Sequence, residues 1–122
     1  MNTPPDGRPP AVLNAEAGAD AWRCVVHDQG AATADHGDWY AITGETVDTL
    51  RCLISLAGVL ARQVAGYGTG RVLRDDAGAD PAERLAIASS VAAQLRADLD
   101  RAERAANRLW SQIGHIAVEV DR

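Results

Sequence analysis

The chain has 122 residues, a formal net charge of −5, 47% hydrophobic and 24% charged residues, the balance of one folded domain. The acidic excess argues against a free-standing nucleic-acid binder, whose affinity comes largely from phosphate neutralisation. Two cysteines make no disulfide framework, and the longest apolar run, Leu53 to Ala61, is too short to cross a bilayer.

Every one of the twelve basic residues is Arg, Phe is absent and alanine is abundant, a composition that fits a bacterial, GC-rich coding genome. The first twenty residues hold no apolar leader, so a cytoplasmic protein is expected. They hold four of the five prolines, Pro4, Pro5, Pro9 and Pro10. Such a segment buries too little surface to offset its ordering entropy, which predicts a mostly disordered tail over 1–20. Residues 21–37, AWRCVVHDQGAATADHG, predict an irregular docking segment. From Asp38 the pattern becomes helical: Tyr40, Val47, Leu50, Ile54, Ala57, Ala61 and Val64 recur at spacings of three, four and seven. A helix over about 38–66 follows, with Asp38 as N-cap. Gly44 weakens its first turns by about 1 kcal/mol relative to Ala, which leaves Thr43 as the alternative start, and Gly66 and Gly68 supply the stop.

The connector reads GYGTGRVLRDDAGAD, residues 66–80. Its glycines follow a helix rather than a strand and lack the Lys of a phosphate-binding loop. Its acids lack the spacing and closing Glu of a calcium loop. Arg62, Arg71, Arg74 and Arg84 balance Asp75, Asp76, Asp80 and Glu83, so the stretch reads as a bend. Val72 and Leu73 are the apolar residues at its tip.

Asp80-Pro81-Ala82-Glu83 predicts a sharp helix start. Asp80 accepts from the Glu83 amide, Pro81 takes the first helical position, and Glu83 reaches back to the cap. Leu85, Ala88, Ala92, Leu95, Leu99, Ala102, Ala106, Leu109, Ile113, Ile116 and Val120 then form a heptad seam over 81–120. The expected fold is all-α, a long antiparallel hairpin with residue 66 level with 81, 56 near 91, and Trp39 close to Leu109 and Trp110. The second helix outruns the first by about three turns. That overhang carries Trp110, Ile113, Ile116 and Val120, and either the Trp22/Val25/Val26 segment or another protein should cover it. In the tip half, Cys52, Leu56 and Val59 on the first helix and Ile87 and Val91 on the second lie off the seam. They predict a homodimer that completes a four-helix bundle. In length and shape the hairpin is similar to small secreted helical hairpins with a Trp-x-Gly turn, but GYGTG lacks that motif and no family is assigned.

No enzyme is expected, because no Ser/His/Asp or Cys/His spacing supports nucleophilic chemistry and His115 stands alone on an outer face. Cys24-x-x-His27 with His36 and the nearby Asp28, Asp35 or Asp38 supplies half a zinc knuckle. No metal and no cofactor are expected, and Cys24 should be buried. Arg101, Arg104 and Arg108 form a basic stripe interleaved with Asp98, Asp100 and Glu103, a self-neutralising face. The function expected is that of a non-enzymatic adaptor or assembly factor. It would bind a partner protein through Trp110, Ile113, Ile116 and Val120 and through the Val72/Leu73 tip. The alternative is an accessory protein of DNA transactions, using Arg101, Arg104 and Arg108; nucleic acid is disfavoured, and no membrane is expected.

Overall fold

Three helices make up the computed structural model, which describes residues 7–120: α1 (Pro10–Ala31), α2 (His36–Gly66) and α3 (Pro81–Gly114). The chain divides into two units, Met1–Asp35 and His36–Arg122.

The first unit corrects the sequence reading. Residues 10–31 form a continuous helix where a disordered tail and an irregular segment were expected; residues 1–6 of that tail lie outside the described residues. The prolines mislead because Pro10 occupies the first helical turn, where its missing N–H costs nothing. Alanine at 11, 15, 17, 19 and 21 then propagates the helix by intrinsic preference. Arg23 pairs with Asp20 one turn away. No residue of α1 is buried, and Cys24 is exposed, not buried as expected.

The second unit is an antiparallel pairing of α2 and α3. α2 starts two residues earlier than expected, so Asp38 lies in its first turn instead of at its cap, a position where a carboxylate favours the helix dipole. Its buried residues are Thr43, Val47, Ala57 and Gly58, and Leu50, Ile54, Ala61 and Val64 are half-buried. The α2 seam is therefore the one the periodicity marks.

α3 begins as expected, with one change of partner. The Asp80 carboxylate accepts from the Ala82 amide at 3.1 Å, one residue short of Glu83. The helix ends at Gly114, not at 120. Glycine followed by Ile116, Val118 and Val120 offers the helix no favourable continuation. The amides of His115 and Ile116 close the last turn on the carbonyls of Gln112 and Ile113.

The register differs from simple pairing at the tip. Arg51 reaches Glu103 at 3.1 Å, Trp110 lies against Gly44, and Tyr40 against Gly114. Each of these three α2 residues thus meets α3 seven positions, or about two turns, further on than expected. The reason lies in the connector, which folds back instead of closing a tight end. The side chains of Leu73 and Leu85 approach Gly68 together. Gly70 and Gly78 adopt positive φ of 73° and 79°, which only glycine does at little cost. The first two turns of α3 pack against this loop, so the excess helix sits at the tip and not at the open end.

Asp75 organises the connector. Its Oδ1 accepts from Arg84 Nε at 2.9 Å, and its Oδ2 from the amides of Ala77 at 2.9 Å and Ala79 at 3.1 Å. The Arg84 hydrogen bond first, then the Ala79 and Ala77 amides, hold the carboxyl well down, at about 2 against an ordinary 3.8. A depressed carboxyl pKa means these bonds are at full strength above the ordinary value and are lost as pH falls through about 2. Arg84→Ala should return the Asp75 titration towards 3.8, read by carboxyl-carbon NMR. An unmoved titration would show that the amides alone set it.

Candidate functional site

The seam of α3 is turned by one residue from the expected one. Leu85, Ala92, Leu99, Ala106 and Ile113 face α2 as the heptad requires and are half-buried or buried. Between them the half-buried positions are Ser89, Glu103 and Trp110, not Ala88, Leu95, Ala102 and Leu109, with Arg96 exposed at the seam's edge. Ser89 Oγ donates to the Ala61 carbonyl at 3.2 Å, Arg96 lies over Gly58, and Glu103 takes Arg51. Ser89 and Glu103 each find a hydrogen-bonding partner across the hairpin, which removes the cost of turning them inward, and Arg96 keeps its guanidinium exposed. The consequence falls on the leucines: Leu95 is left 48% exposed and Leu109 55%.

At the open end, Trp110 stacks on Tyr40 with ring centroids 5.4 Å apart and planes tilted by 33°. The aromatic partner is Tyr40, not the expected Trp39. A β-carbon on Gly44 would stand 3.1 Å from the Trp110 ring, and one on Gly114 3.2 Å from Tyr40. The glycine that weakens the start of α2 is what admits the indole. Trp110 Nε1 is buried without an acceptor, a cost of about 1–3 kcal/mol that the ring's packing must exceed.

The expected overhang therefore does not exist as a helical surface. Trp110 is half-buried against Tyr40 and Ile113 is buried, while Ile116, 48% exposed, and Val120 lie beyond the end of α3. The tip pair also separates: Val72 is fully exposed, whereas Leu73 is half-buried beside Gly68.

The expected dimer face is likewise redistributed. In a right-handed helix at 3.6 residues per turn, Leu53, Leu60 and Tyr67 flank the α2 seam on one side. Ile87, Val91, Leu95 and Leu109 flank the α3 seam. Because the helices run antiparallel, both stripes lie on the same broad side of the hairpin. A cleft of about 290 Å³ on that side is lined by Leu60, Gln63, Val64, Tyr67 and Leu85. All seven stripe residues are exposed, from 38% at Leu53 to 62% at Val91. Leu56 points away from α3. Cys52 and Val59 fall on the opposite side from Ile87 and Val91, so the structure does not bring these five residues onto one face.

That opposite side is polar and carries Arg51, Arg62, Arg96 and Arg104 with Asp48 and Asp100. Of the basic stripe, Arg101 is paired with Asp98, and Arg104 with Asp100 at 3.1 Å. Among the described residues no three His, Cys, Asp or Glu side chains gather to hold a metal ion, and no helix is long and apolar enough to cross a membrane. No protein-family model, no curated protein and no solved structure matches the chain.

Proposed function

We propose that this is a non-enzymatic helical interaction protein that works as a homodimer, two hairpins packing through their apolar sides into a four-helix bundle. The observation that carries the reading is the turned α3 seam, which leaves Leu95, Val91 and Ile87 outside on the same side as Leu53, Leu60 and Tyr67. With Leu109 they make seven exposed large apolar side chains on one side, the kind of surface that marks a protein–protein contact. A face of this kind is self-complementary under two-fold symmetry.

The interior supports the same conclusion. Among the described residues the buried hydrophobic side chains are Val47, Ala57 and Ile113. With the half-buried seam residues around them they make a thin core, to which burial of further apolar side chains by a second hairpin would add about 1.5–3 kcal/mol for each large aliphatic one. Multi-angle light scattering at micromolar concentration is expected to give twice the protomer mass. A monomer at that concentration would overturn the reading. The alternative use of Arg101, Arg104 and Arg108 on nucleic acid draws less support, since aspartates hold two of the three.

A further inference from the structure

The polar side of the hairpin contains two arginines whose placement the self-association does not use. Arg62 rises from α2 and Arg96 from α3, and both come down over Gly58, which is buried beneath them. Arg96 Nη1 and Arg62 Nη1 lie 3.4 and 3.8 Å from the point a β-carbon on Gly58 would occupy. The two nitrogens are thus at most about 7 Å apart, a gap that a carboxylate or phosphoryl group spans when two of its oxygens each accept at roughly 2.8 Å.

Neither arginine makes an ion pair or hydrogen bond among the described residues, whereas Arg51, Arg84, Arg101 and Arg104 each have a carboxylate. The sequence withholds one: no Asp or Glu occurs in α2 from Thr49 to Gly66, nor in α3 from Arg84 to Ala97. Asp100, one turn from Arg96 on the same side, is taken by Arg104, so the two converging guanidiniums have no carboxylate of their own and a shared anion would relieve their like charge.

We infer that Arg62 and Arg96 form a clamp for an acidic side chain, carboxylate or phosphoryl, on an extended segment of a partner protein. Both guanidiniums are exposed, so a single small anion would be held weakly against water. A chain that brings its own neighbouring contacts suits the open surface better. The clamp lies on the opposite side from the proposed dimer face, so its failure and the failure of the dimer are read separately.

The test is fluorescence anisotropy with a labelled hexaglutamate peptide and a phosphoserine-containing counterpart, on the full chain at low salt. Wild-type protein is expected to bind at least one of them, with affinity falling steeply as salt rises. Arg62→Gln and Arg96→Gln should each weaken binding tenfold or more. Arg74→Gln, which removes the same charge from the connector, should change it less than twofold. Arg62→Lys keeps the charge and loses the planar fork, and should fall between. Equal losses in Arg74→Gln and Arg96→Gln would reduce the effect to net charge and overturn the proposal. So would no binding of either peptide by the wild type, or tighter binding of duplex DNA through the same two arginines.

Discussion

Ile113→Asp is expected to abolish the cooperative thermal unfolding transition of the hairpin, while Ile116→Asp leaves it in place. The two residues are three apart and similar in chemistry, yet the structure puts them in different environments. Ile113 is 9% exposed, one of three buried hydrophobic side chains among the described residues; Ile116 is 48% exposed and lies past the end of α3. A carboxylate at 113 must either be buried without a partner or protonate, and such changes cost roughly 3–5 kcal/mol. Against a whole-domain stability of about 5–15 kcal/mol, and with Val47 and Ala57 as the other buried hydrophobic residues, that leaves little to hold α3 on α2. An acid in the last turn also opposes the helix dipole. The measurement is a circular-dichroism melt of both variants. If Ile113→Asp kept a wild-type melt and lost only the capture of another protein, the residue would be surface, as the expected overhang required.

The parts of this hairpin that could be read in advance are those fixed by local chemistry. Asp80 and Pro81 start a helix wherever the rest of the chain goes, and the α2 seam holds because its apolar residues leave one answer. The α3 seam did not yield in the same way, because two heptad choices share Leu85, Ala92, Leu99, Ala106 and Ile113. Hydrophobicity alone prefers the set with Leu95 and Leu109. What tips the helix is a set of cross-hairpin partners, Ala61 for Ser89, Gly58 for Arg96 and Arg51 for Glu103, and these are invisible until the register is known. The register in turn depends on how far the connector folds back. Asp75 sets that through one side chain that collects Arg84 and two amides, and nothing in the pattern DDAGAD distinguishes Asp75 from Asp76. Helix α1 is hidden for a different reason: proline content signals disorder, whereas Pro10 by its position starts the helix.

Val91→Asp is expected to convert the proposed dimer to a monomer without unfolding the hairpin, raising the dissociation constant by at least a hundredfold. At 62% exposure Val91 makes few contacts within its own chain, so the substitution costs the isolated hairpin little. In a two-fold symmetric bundle the change appears twice, and each new carboxylate is desolvated without a partner. At even about 1.4 kcal/mol for each copy the combined loss is a hundredfold, and desolvation costs of this kind run higher. Leu60→Asp, from the other helix of the same side, should behave alike. Cys52→Asp distinguishes this face from the one that off-seam residues alone suggested. Cys52 is exposed and lies on the opposite side, so it should leave the dissociation constant within about twofold, as surface substitutions do. Analytical ultracentrifugation across a concentration series reads all three. Should Cys52→Asp dissociate the protein while Val91→Asp does not, the second copy sits on the polar side and the turned seam of α3 serves some other contact. The proposed dimer should also make the melting temperature depend on protein concentration. The Val91→Asp hairpin, deprived of the second copy, should melt lower than wild type by an amount that grows as the wild type is concentrated.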